Sequence, residues 1–170
     1  MKQIGLYTKK VIEHFQKPHN MGKIKNPDAI GRAGNIICGD TIQLYIKVKK
    51  NKQGKEMIKD ISFETLGCVA AIATSSVITD LVKGKTLEKA LEFDRKEIIK
   101  ELSGLPPVKV HCSVLAADAL YEAIYDYLKK KKREIPEKLI KIHQKIERDK
   151  KEIKKRYKEW IKIKEKVHKK

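Results

Sequence analysis

No run of this chain reaches the roughly 18 consecutive apolar residues that a membrane span needs, so a transmembrane protein is not expected. Nor is a secretory leader read at Met1-Lys2-Gln3-Ile4, which starts straight into an amphipathic pattern. Reduced thiols and a cytoplasmic location follow as expectations. Cysteine is scarce: three residues, an odd number, with no C-x-x-C pair among them. That speaks against a disulfide framework and against the paired clips of a zinc finger. Aromatics are only 6% of the chain, which leaves few platforms for stacking nucleic-acid bases.

Positive charge is abundant and unevenly placed. The net charge is +18. Residues 129–170 hold 20 Lys+Arg against 7 Asp+Glu, a balance of +13, whereas residues 1–128 carry only +5. We therefore expect two parts: a domain at 1–128 with a core of ordinary size, and a basic helical extension at 129–170.

Along the chain, Ile4, Tyr7, Val11 and Phe15 recur at helical steps, predicting a helix over 3–16 that ends at Pro18 and the Asn20-Met21-Gly22 turn. His14 and His19 read as surface or packing histidines, because local spacing offers an imidazole no ligand partners. Residues 22–36 read as an irregular loop punctuated by glycine. Alternating Ile42, Leu44, Ile46 and Val48 predict a strand at 41–49, and residues 57–66 its antiparallel return after the Asn51–Gly54 turn. A small-residue helix follows Gly67-Cys68, and Thr86 and Asp94 suit the caps of two short helices. From Pro136, expected as the first helical residue, Leu139, Ile146, Ile153, Trp160 and Val167 fall seven residues apart. They form one narrow seam of a long basic helix that would dock on its own domain or on a partner.

The chain is organised around Gly104-Leu105-Pro106-Pro107-Val108-Lys109-Val110-His111-Cys112-Ser113. The prolines predict a stiff, extended lead-in that delivers His111 and Cys112 to the start of a helix over 112–128. There the helix dipole, unbonded N–H groups and Lys109 would favour a thiolate on Cys112. Cys38 and Cys68 sit in similar settings beside Gly39 and Gly67. Three thiolates with Asp40 or His111 would suit tetrahedral zinc or a [2Fe–2S] centre. The residue pattern leaves two other readings open: small core cysteines, and a Cys–His catalytic pair using Cys112.

Four stretches in order carry a resemblance: Cys38-Gly39-Asp40; Phe63 to Cys68 with the Ala/Ser-rich helix after it; Gly84 to Leu91; and Leu105 to Ser113. Over about residues 3–128 the chain resembles the IscU/NifU-type iron–sulfur cluster assembly scaffolds. The resemblance implies an α+β fold, a three-stranded antiparallel sheet covered by helices on one face. It also implies a scaffold, not an enzyme, that accepts sulfur from a cysteine desulfurase, binds iron, builds a transient [2Fe–2S] cluster and passes it to acceptor proteins. Cys38, Cys68, Cys112 and either Asp40 or His111 would hold the cluster, with Cys112 as the sulfur acceptor and zinc as the cluster-free occupant. Leu105, Pro106, Pro107, Val108 and Lys109 match the docking strip of an Hsp70-type chaperone. Val69, where many relatives carry glycine, and the segment 31–37 depart from the family pattern. The alternative is a zinc-binding structural protein whose basic helix binds nucleic acid or a partner.

Overall fold

Small residues decide how the layers of this protein approach one another. The computed structural model describes residues 6–35 and 38–167, with side chains through residue 159. Three antiparallel strands form the sheet, in the order β1 (Ala29–Gly34), β2 (Thr41–Lys50) and β3 (Glu56–Leu66). In register, Ala29 opposes Ile46, Leu44 opposes Phe63, and Thr41 opposes Leu66. Ile42, Leu44, Ile46, Ile61 and Phe63 are buried on the inner face. The outer face is polar: Arg32 Nε donates to Gln43 Oε1 at 2.6 Å, and Tyr45 Oη donates to Glu64.

Strand β1 corrects the expectation of an irregular loop across 22–36. Its inward positions are Ala29, Gly31 and Ala33, so it lacks the branched residues that announce a strand. Those positions are small because a helix lies directly on them. A Cβ on Gly31 would stand 1.9 Å from the Ala119 carbonyl oxygen and 2.4 Å from Ala123 N. That helix is α5 (His111–Lys130), whose Ala116, Ala119, Leu120, Ala123 and Ile124 are buried against the sheet.

Beside it lies α2 (Val69–Val82), buried almost all round through Ala70, Ala71, Ala73 and Ser75 to Ile78. The first helix, α1, runs Lys9–Gln16, capped by the Thr8 hydroxyl, which accepts from Val11 N and donates to the Leu102 carbonyl at 2.6 Å. It is shorter than the expected 3–16; residues 3–5 lie outside the described residues. Two short helices, α3 (Leu87–Leu91) and α4 (Arg95–Glu101), begin at the anticipated Thr86 and Asp94 caps, the latter with a full capping box.

The basic extension folds as α6 (Glu137–Val167). Pro136 is not its first residue but the residue before it, its carbonyl accepting from Leu139 N and Ile140 N. The first part of the expected seam docks on the chain's own domain: Leu139 and Ile146 are buried, and Ile153 Cδ1 reaches Gly34. Polar contacts on α5 fix the register. The buried Glu122 carboxylate faces His143 Nδ1 at 2.8 Å and accepts from Lys150 Nζ at 3.2 Å, while the His143 ring stacks on Tyr125 at 3.8 Å. The Trp160 and Val167 side chains lie outside the described set. No helix among the described residues is long and apolar enough to cross a membrane.

The two glycines of β1 make opposite predictions. Gly31→Ala drives a methyl into helix backbone and should cost about 3 kcal/mol. At Gly34 the neighbour is the movable end of Ile153, at 3.2 Å, and Gly34→Ala should cost below about 1 kcal/mol. Urea unfolding midpoints of the two variants measure the contrast.

Candidate metal and sulfur site

Three chain segments end at one corner of the sheet. The turn before β2 is tied by Asn35, whose N–H donates to the Asp40 carbonyl and whose own carbonyl accepts from Gly39 N. Its side-chain oxygen also accepts from Cys38 N at 3.1 Å. Gly39 takes φ +74°, a conformation that glycine adopts without strain. Cys68 is the residue before the first turn of α2, and Cys112 is the second residue of α5.

The cysteines thus meet although they are far apart in sequence. Cys68 Sγ lies 3.8 Å from Cys112 Sγ, and Cys112 Sγ lies 3.9 Å from Asp40 Oδ2. Donor atoms of Asp40, Cys68 and Cys112 fall within 4.8 Å of one another; so do those of Cys38, Asp40 and His111. Asp40 belongs to both sets and sits at the centre. Gly67 makes room for it, since a Cβ there would be 2.8 Å from Ala71 Cβ and 3.1 Å from Asp40 Cγ. All five residues expected to hold metal therefore share this corner. His111 Nε2 is buried without a hydrogen-bond partner among the described residues. A buried imidazole nitrogen left so is a costly arrangement unless something occupies it.

The thiols differ in access: Cys38 is exposed, Cys68 half-buried and Cys112 fully buried. This overturns the expected thiolate at Cys112. Burial raises its pKa far above the ordinary thiol range, with Cys68 adding to the effect, so the helix dipole does not prevail. Lys109 is raised chiefly by the charge of Cys68, so it accompanies that sulfur first and Cys112 less. Desolvation and the Asp40 charge raise Cys38 as well, opposed by the Asp40 backbone N–H.

The lead-in is not wholly extended either. Pro106 is extended, but Pro107–Lys109 close a 3₁₀ turn. Within the expected docking strip, Leu105 packs on the core while Pro107 and Val108 face outward. Exposed Leu6 and Leu66 are further apolar side chains of the chain. Sequence reasoning gave Tyr7 only a helix face; burial and the charge of Cys68 raise its phenol, which places it beside the corner. Helix α6 reaches the rear of the site, where His111, Asp118, Lys145 and Asp149 line a cavity of about 230 Å³.

Such a corner defines a class: a small α+β domain offering a mixed thiol, carboxylate and imidazole donor set to a thiophilic metal. Residues 6–134 match the family model of the NifU-like N terminal domain. The chain is 53% identical over 125 residues to iron–sulfur cluster assembly scaffold protein IscU 1 of Archaeoglobus fulgidus, covering 74% of this chain and 78% of the relative. It is 48% identical over 124 residues to IscU of Haemophilus influenzae, covering 71% and 94%. A NifU-like protein (N-terminal) from Brucella abortus shares the fold, with TM-score 0.56, 23% identity, and coverage of 74% and 96%. The chain belongs to the NifU-like N-terminal domain family, as its resemblance implied, and its α+β architecture with a three-stranded sheet is the one expected.

Two predictions follow from this geometry. Under reducing conditions without metal, iodoacetamide should label Cys38 fastest and Cys112 slowest, with mass-resolved peptides reporting the order. Asp118 is pushed up to about 6, mainly by burial against the opposing pull of Lys145. Its folded pKa exceeds the unfolded value of about 3.9, so the folded state holds the proton more tightly. Stability should fall as pH rises from about 4 to about 6 and stay lower above. Asp118→Asn should raise Tm by about 2–4 °C at pH 7.5 and leave it unchanged at pH 4.

Proposed function

We propose that this protein is a scaffold for iron–sulfur cluster assembly and not a turnover enzyme. The convergence of Cys38, Asp40, Cys68, His111 and Cys112 at one corner carries that reading. The relatives named as cluster assembly scaffolds support it. Iron and persulfide sulfur are substrates here, and the assembled [2Fe–2S] unit is cargo.

A cysteine desulfurase presents a persulfide, and a scaffold thiolate attacks its outer sulfur. The S–S bond breaks, and the desulfurase cysteine leaves as thiolate. Cys112 is the proposed acceptor. Because it is buried, the Cys38–Asp40 turn has to move aside first, and that movement would also lower its raised pKa by admitting water and cations. Lys109, a half-buried cation near the sulfurs, favours the anionic forms.

Two electrons per sulfur, from ferrous iron and an external electron donor, then cleave the Cys112 persulfide into thiolate and sulfide, and Cys38, Cys68 and Cys112 ligate the iron, with Asp40 or His111 completing the set. A carboxylate or imidazole in place of a fourth thiolate holds iron less firmly. An exposed Cys38 leaves one side of the cluster within reach of an acceptor protein. Tight enough to assemble and loose enough to release, such a site suits transfer better than storage. Pro107 and Val108, outward-facing beside it, make a docking strip for a partner such as an Hsp70-type chaperone.

Anaerobic incubation with a desulfurase, cysteine and ferrous iron should give a visible chromophore with matching acid-labile sulfide, and Cys68→Ala should abolish both. Normal assembly in that variant contradicts the ligand assignment. The donor set equally suits a permanent zinc ion, and chelation separates the two readings. A structural zinc site should unfold the domain when stripped, whereas a scaffold should keep its far-UV circular dichroism.

A further inference from the structure

A second cluster of metal-ligating side chains lies away from the cysteines, where α1 and the turn after it meet α2. Donor atoms of His14, His19 and Asp80 fall within 4.8 Å of one another. The set is far from the sulfur corner, because Asp80 lies twelve residues along α2 from Cys68, about 18 Å of helix.

From the geometry we propose that His14, His19 and Asp80 form a separate binding site for a divalent first-row cation of the zinc, cobalt or ferrous type. The supporting contacts are those a metal site needs around its ligands. Ser76 Oγ lies 2.9 Å from His14 Nδ1 and accepts from the backbone N–H of His19 at 2.8 Å. When His14 donates Nδ1–H to that hydroxyl, its Nε2 lone pair is left for a metal. Asn20 Nδ2 donates to Asp80 Oδ1 at 3.0 Å and to Thr79 Oγ1 at 2.9 Å, which orients the carboxylate and leaves Oδ2 toward His19. The ligand-bearing turn is itself anchored: Phe63 N donates to the Asn20 carbonyl, and Gly22 N to the Phe63 carbonyl.

Two imidazoles and one carboxylate choose the cation class. Magnesium and calcium prefer all-oxygen shells, and thiophilic Cu(I) prefers the cysteines. Tetrahedral or octahedral cations with bonds near 2.1 Å need donors about 3–3.5 Å apart, so small side-chain rotations close the present spread. His19 Nδ1 now sits 2.6 Å from Asp80 Oδ2, an arrangement in which a proton occupies the place of the cation. The side chains of His19 and Asp80 are 57% and 41% exposed, so an ion can enter and keep water on its open positions. Bound there, it would fasten α1 and its turn to α2 and stabilise the domain by mass action.

Cobalt(II) added anaerobically to the full reduced chain tests this, because thiolate ligation adds an intense charge-transfer band that nitrogen and oxygen ligation lacks. We expect one equivalent with that band and a second without it. His19→Ala and Asp80→Asn should each weaken the second at least tenfold and leave the first unchanged. A thermal melt without metal establishes that both variants are folded; Asp80→Asn keeps the shape of the side chain. If the full chain takes up only the thiolate-ligated equivalent, or if the second persists at full affinity in both variants, the site does not exist. Neither result bears on the cysteine corner, whose band is read independently.

Discussion

The seating of α5 on β1 is the constraint from which the remainder follows. Helix backbone lies against strand backbone at Gly31, where no side chain fits beneath the Ala119 carbonyl. That close approach fixes the helix along its length, and its first turn carries His111 and Cys112. The same packing brings α2 alongside through small side chains, delivering Cys68 within 3.8 Å of Cys112. Sulfur geometry at the corner is thus set by alanine and glycine about two to three turns away.

Within the corner, burial and ligation pull in opposite directions. Three thiols and a carboxylate crowded together would repel if all were ionised, and the fold responds by keeping Cys112 buried and protonated. A cationic metal reverses the balance, because it neutralises the charges that burial penalises. The metal-free state is therefore one that a thiophilic cation would complete. Asp40, which belongs to both donor sets and has room because residue 67 is glycine, joins the two halves of the corner.

The extension adds a long helix of positive charge without disturbing this arrangement. Its docking uses two kinds of contact: Leu139 and Ile146 supply apolar burial, while Glu122 with His143 and Lys150 sets register. A buried carboxylate tolerates its place because two partners from α6 surround it. Further along, α6 passes Gly34 and lines the cavity behind His111. The basic segment consequently belongs to the neighbourhood of the site and not to a detached tail.

Sequence alone determined the periodic elements, since alternation at Ile42, Leu44 and Ile46 and the caps at Thr86 and Asp94 are local signals. It also marked Cys38, Asp40, Cys68, His111 and Cys112 as candidates, through residue chemistry and a family resemblance. Only tertiary structure decided the rest. Strand β1 escaped notice because its inward residues are small for the sake of a helix more than eighty positions away, which no local pattern records. The charge state of Cys112 was misjudged because a helix dipole is a local property, whereas burial is a property of the whole fold. His14 and His19 gained Asp80 as a neighbour for the same reason: side chains distant along the chain become partners only when helices pack.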